Sequence, residues 1–77
     1  MMRMYLVNKR QDMNLSMRGT SRLIGMDFHH YRKIELGMVR HVTFMNLCKI
    51  GIGLEISLED LYDMETLYQS EMEDEDD

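Results

Sequence analysis

The chain has 77 residues, with 14 acidic and 9 basic side chains, a single Cys, no Pro and no Trp. A chain this short makes one small domain, which buries only about 60% of the surface exposed when unfolded, so a deep pocket walled by a large core is excluded. One Cys also excludes an internal disulfide and a cysteine-only zinc site.

No apolar run reaches the roughly 18–20 residues of a membrane span. The opening MMRMYLVNKRQDMN carries too short an apolar stretch for a secretory leader and no small-residue cleavage site. Both point to a protein of a reducing cytoplasm. The net charge of −5 hides a division. All nine Lys and Arg lie in residues 1–49, where only Asp12, Asp27 and Glu35 oppose them, so residues 1–50 carry +6. Residues 51–77 carry eleven acids and no base, −11. The split suggests a basic working surface joined to an acidic tail.

In chain order, Met4 to Asp12 reads as a short helix bearing Met4, Tyr5, Leu6 and Val7, with Asn14 as its turn residue. Ser16 can cap a second helix that runs to about Ile24, because its hydroxyl accepts an N–H of the first turn. Gly25 suits the left-handed conformation that closes a helix. Asp27 caps a third helix, FHHYRKIEL, in which Phe28, Tyr31 and Ile34 recur every three residues. Gly37 ends it, and a loop covers Met38 to Val42. Thr43 caps a fourth helix through about Leu54, with Phe44, Leu47, Cys48 and Ile50 on its apolar face; Gly51 and Gly53 weaken its end. Ser57 caps a fifth helix, with Asp60 three residues on as in a capping box. Leu58, Leu61 and Tyr62 are expected to face inward, and Met64, Leu67 and Tyr68 continue the apolar supply. The terminal EMEDEDD, from Glu71, has nothing to bury and is expected to be disordered. The expected class is all-α: a compact five-helix domain over residues 1–70 with a disordered acidic C-terminal tail over 71–77.

The informative segment is Ser16 to Gly37: helix, tight glycine turn, helix. This is the pattern of a helix-turn-helix, whose second helix can enter the major groove by its N-terminal residues. That helix displays Phe28, His29, Arg32 and Lys33 outward, while Tyr31 and Ile34 point to the core. Arg and Lys can donate to guanine O6 and N7, and Phe28 can pack on a thymine methyl.

Here the sequence resembles the Cro/C1-type (XRE-like) helix-turn-helix domains of phage repressors and bacterial regulators. The matching residues are Arg10, Leu15-Ser16, Gly25, Asp27, Tyr31, Ile34-Glu35, Gly37, Leu47, Lys49-Ile50, and the string Leu54 to Leu61. KIELG, then LCKI and ISLEDL, is the most specific part, and the likeness covers residues 10–61. Met17 stands where the family commonly has Gln, and Thr20-Ser21 where it has Leu-Ala. The resemblance implies a lambda-repressor-like fold and sequence-specific binding of double-stranded DNA as a homodimer. It implies base contacts by Phe28, His29 and Arg32, with Lys33 close by, and phosphate contacts near Ser16, Met17, Arg18 and Arg40. It also implies an internal salt bridge between Arg10 and Glu35.

Other residues have plainer readings. His29 and His30 are adjacent and point apart on a helix, and no Cys or acid completes a metal set with them or with His41. No metal or cofactor is expected. Cys48, on an apolar helix face, behaves as a small hydrophobe. Tyr62, Met64, Leu67 and Tyr68 exceed what one small core needs and are the expected dimer interface. The expected function is a non-enzymatic transcriptional regulator, a repressor of phage, plasmid or bacterial origin acting by operator occupancy. It would work in the bacterial cytoplasm, or in the host cytoplasm if phage-encoded. The alternative is a protein-binding module on the same scaffold, such as an antirepressor, an antitoxin-like neutraliser or a phage-encoded inhibitor of a host nucleic-acid enzyme. That module would meet its protein partner through the acidic tail.

Overall fold

The computed structural model describes the backbone of residues 1–76 and the side chains of residues 1–73. Five helices follow in order: α1 (Met4–Asp12), α2 (Met17–Ile24), α3 (Phe28–Glu35), α4 (Phe44–Gly53) and α5 (Leu58–Asp76). Among the described residues there is no strand, so the all-α expectation holds. No helix among them is long and apolar enough to cross a membrane.

Four of the five starts are set by one short polar side chain each. Ser16 Oγ accepts the Gly19 N–H at 2.9 Å and Asp27 Oδ2 the His30 N–H at 3.2 Å. Thr43 Oγ1 accepts the Asn46 N–H at 3.3 Å and Ser57 Oγ the Asp60 N–H at 3.1 Å. Each satisfies one of the N–H groups that a helix start leaves without an internal acceptor.

The four turns share one device. Asn14, Gly25, Gly37 and Glu55 all have positive φ, at 59°, 69°, 80° and 57°. Each lies at the centre of the paired hydrogen bonds that close a helix C-terminus. Gly25 N–H reaches the Arg22 carbonyl at 3.2 Å and Met26 N–H the Ser21 carbonyl at 2.9 Å. The same pair recurs at Gly37 and Met38, at Asn14 and Leu15, and at Glu55 and Ile56. At Gly37 glycine is required twice over: a Cβ there would lie 1.8 Å from the Met1 carbonyl oxygen, which passes directly above.

The core joins all five helices. Leu6, Ile24, Tyr31, Ile34, Ile50 and Leu54 form its centre, with Leu61 and Tyr68 contributed by α5. Thr20 and Ser21, buried on α2, return their hydroxyls to their own helix: Thr20 Oγ1 donates to the Ser16 carbonyl and Ser21 Oγ to the Arg18 carbonyl, both at 2.8 Å. Neither is left with an unmet hydrogen bond.

Three residues expected inside lie outside. Phe44, Leu58 and Tyr62 are 66%, 54% and 71% exposed. The cause is the closeness of α4 and α5 at Gly51, where a Cβ would lie 3.3 Å from Leu61 Cδ2. That contact turns Ile50 and Leu61 inward and leaves Phe44, Leu58 and Tyr62 on the outer rim. Helix α4 is apolar almost all round, so its periodicity does not select a face. The expected disordered segment begins at Glu71, but Glu71, Met72 and Glu73 continue α5, and the helical backbone reaches Asp76. The rest of that expectation falls on residues 74–77, whose side chains lie outside the described residues, as does Asp77 entirely.

A polar cluster ties the first residues to the last helix. The Arg3 side chain is fully buried. Its Nε and Nη2 each donate to Glu65 at 2.9 Å, to Oε1 and Oε2 respectively. Nη1 donates to the Ile34 and Val39 carbonyls, and Nη2 to the Arg40 carbonyl, all at 2.8 Å. All five guanidinium N–H donors are therefore used. Tyr5 Oη donates to Glu65 Oε1 at 2.6 Å and Gln69 Nε2 to Oε2 at 3.0 Å. Burial alone would push the Glu65 carboxyl up, but hydrogen bonds from Arg3, Tyr5 and Gln69 outweigh it and hold it below its ordinary value. Burial, then the neighbouring carboxylate, pushes the Tyr5 phenol far up.

Candidate nucleic-acid interface

Helices α2 and α3 meet across the Gly25 turn as the sequence predicts, and together they expose Arg18, Arg22, Arg32 and Lys33. Around α3, Tyr31, Ile34 and Glu35 are buried, while His29, Arg32 and Lys33 are exposed. With Phe28 these three span one continuous outward arc, because positions 28, 32, 29 and 33 follow one another around a 3.6-residue helix. Phe28 is half-buried, its ring 4.0 Å from the Arg18 guanidinium carbon and edge-on to the His29 ring at 5.4 Å. The cation–π contact joins the start of α2 to the start of α3.

The residues expected near phosphates are more scattered. Arg18 and Arg40 are exposed. Ser16 is exposed, with its hydroxyl engaged as the α2 cap. Met17 is half-buried and packs on the core, so at this position the helix offers backbone rather than side chain. His30, beside His29, turns the other way: its Nε2 lies 3.1 Å from Asn46 Nδ2, fastening α3 to α4. Among the described residues no three His, Cys, Asp or Glu side chains converge to hold a metal ion.

Arg10 and Glu35 form the expected bridge. Arg10 Nε donates to Glu35 Oε1 at 2.6 Å and Nη2 to Oε2 at 3.2 Å. Tyr31 Oη donates to the same Oε1 at 3.0 Å, and Arg10 Nη1 to the Leu15 carbonyl at 3.2 Å. The carboxylate is fully buried and the guanidinium partly so. Burial, then Glu35, pushes the Tyr31 phenol far up. The cluster locks the C-terminal end of α3 to α1 and so fixes the angle at which α3 presents its outer arc.

The structure corrects the charge count and names residues that sequence reasoning passed over. Arg3 and Arg10 are neutralised inside the fold by Glu65 and Glu35. On α2, the turn and α3, Arg18, Arg22, Arg32 and Lys33 face only Asp27 as an exposed acid. Arg3 is not part of a basic surface; it is a positioning residue. Its bonds to the Val39 and Arg40 carbonyls, with Gln69 Nε2 on Arg40 at 2.6 Å, pin the loop that carries Arg40 beyond α3. The sequence marks only the Glu65 half of this pair. Glu65 shares a helical stripe with Leu61, Tyr68 and Met72, and an acid in an apolar stripe calls for a buried cation.

The expected dimer residues do not form one face. Tyr68 is only 4% exposed; its hydroxyl donates to the Met1 carbonyl at 2.7 Å and its ring lies beneath the Arg3 guanidinium at 4.5 Å. It is a core residue because Arg3 draws α5 down onto the N-terminal segment. Tyr62 lies on one flank of α5. Met64 and Leu67 lie on the other, beside Met1, Met2 and Met4. No protein-family model, curated protein or solved structure matches this chain.

Proposed function

We propose that the protein is a sequence-specific DNA-binding regulator of Cro/C1 type, a repressor that acts in a bacterial cytoplasm by occupying its operator. The reading is carried by one observation: α3 presents Phe28, His29, Arg32 and Lys33 as a single outward arc directly after the Gly25 turn. Arg32 and Lys33 supply donors for guanine edges, His29 a ring N–H, and Phe28 an apolar edge for a thymine methyl. Arg18, Arg22 and Arg40 are exposed and supply charge for phosphates, which position the protein without reading sequence. Two copies on neighbouring half-sites would double the contact. Met64 and Leu67, with Met2 and Met4, offer an apolar surface for that pairing on the side of α5 away from Tyr62. The reading needs no catalytic group and no cofactor.

The test is selection from random duplex DNA followed by anisotropy titration at several salt concentrations. Affinity should fall steeply with salt, and the selected sequences should share a palindrome. Arg32→Ala and His29→Ala should each cost about 1–3 kcal/mol on the selected site. Undiminished affinity in both variants, or no duplex binding even at low salt, rejects the reading.

A further inference from the structure

A second exposed apolar surface lies on the flank of α5 away from Met64 and Leu67. Along α4, Phe44, Met45, Cys48 and Ile52 fall on one stripe, and Met45 and Ile52 are 67% and 82% exposed. The stripe continues into a groove between α4 and α5, lined by Phe44, Leu47, Leu58, Leu61 and Tyr62 with Glu59 at its edge. Phe44, Met45, Ile52, Leu58 and Tyr62 are each more than half exposed, and large apolar side chains gathered on one face mark an interaction surface.

Charge decides what fits there. Glu59 edges the groove, Asp63 follows one turn along α5, and Glu73 lies on the same flank three turns beyond Tyr62. Lys49 is the single base on either helix. A second copy of this chain, paired through this face with α5 against α5, would set acid upon acid. DNA and an anionic membrane are repelled for the same reason. A helix with one apolar stripe bordered by Lys and Arg meets both demands, apolar side chains in the groove and cations on the acidic rim.

We propose that the α4–α5 face is a docking surface for a basic amphipathic helix of another protein. The surface is separate from the α3 arc, so the chain can hold this partner whether or not it holds DNA.

The test uses the full chain and three synthetic peptides: an amphipathic Leu/Lys helix with leucines at i, i+3, i+4 and i+7, a Leu/Glu peptide of the same pattern, and a Leu/Lys peptide of scrambled order. Cys48, the only cysteine, lies in the apolar stripe and is partly exposed, so its alkylation rate reports cover. The Leu/Lys helix should bind, slow Cys48 alkylation at least about tenfold, and lose affinity as salt rises. Leu58→Ser and Tyr62→Ser, both at exposed positions, should each weaken it about tenfold or more. Glu59→Lys with Asp63→Lys should weaken it further and flatten the salt dependence. Duplex DNA binding should be unchanged in Leu58→Ser and Tyr62→Ser. Equal binding of the Leu/Glu or scrambled peptide, unchanged Cys48 alkylation, or a homodimer that Tyr62→Ser dissolves in sedimentation would each overturn the proposal.

Discussion

Replacing Arg3 with Ala tests the most consequential contact in the fold. The side chain is wholly buried and its partner Glu65 is 13% exposed, so this is a buried pair rather than a surface one. Removing one member of such a pair costs about 3–5 kcal/mol, because the other charge is left without its counterion. Glu65 would keep only Tyr5 and Gln69 as donors, and the Ile34, Val39 and Arg40 carbonyls would each lose one. A domain of this size has a total stability of about 4–12 kcal/mol, so the loss is a large fraction of the whole. Thermal unfolding followed by circular dichroism should show Tm lower by at least ~12 °C. Amide exchange at Met38 to Arg40 should speed up with it. Arg3→Lys, which keeps the charge and loses the two-pronged geometry, should fall between the parent and Arg3→Ala. In a double-mutant cycle, Arg3→Ala with Glu65→Ala should cost clearly less than the sum of the singles. A loss under about 1 kcal/mol, the value of an exposed ion pair, would refute the reasoning, as would strict additivity.

Three further predictions rest on other parts of the molecule. Gly25→Ala should cost only the ~1–2 kcal/mol of a left-handed residue, since nothing lies within 4 Å of the added methyl; Gly37→Ala adds a collision with the Met1 backbone and should cost clearly more in urea titrations. The Glu65 carboxyl titrates below its ordinary value of 4.5, so its contribution is fully present above that pH and is lost as the pH falls through the lowered value. The stability gap between the parent and Glu65→Gln should therefore narrow in acid, and a gap constant from neutral pH to strong acid would contradict this. Tyr5 and Tyr31 titrate far above their ordinary 10.0; their contribution is intact below pH 10 and is lost as the pH rises. Absorbance titration should show these two phenolates only together with loss of helix.

Element ends were legible because the chemistry that sets them is local. Ser16, Asp27, Thr43 and Ser57 each cap the residue three ahead, and Gly25 and Gly37 adopt the backbone that only glycine takes freely. The Arg10–Glu35 bridge was expected only from a resemblance, not from spacing, and the outward arc of α3 was legible through periodicity. Contacts between distant parts of the chain were not. Arg3 and Glu65 are 62 residues apart, and nothing near Arg3 distinguishes it from a surface base. The same limit misplaced Tyr68, which only the path of the N-terminal segment over α5 buries. Glu55, at the α4–α5 turn, takes a left-handed backbone that its residue type does not announce.

The span of that Arg3 bond has a consequence for how the protein is made. Arg3 leaves the ribosome well ahead of Glu65, the carboxylate it needs, which is added 62 residues later. Until α5 has emerged, the guanidinium, the loop carbonyls it organises and the N-terminal segment all wait on water. The nascent helix-turn-helix then has its local turns but not its clamp. The domain should therefore acquire its protease resistance in one late step, as α5 clears the exit tunnel, rather than helix by helix.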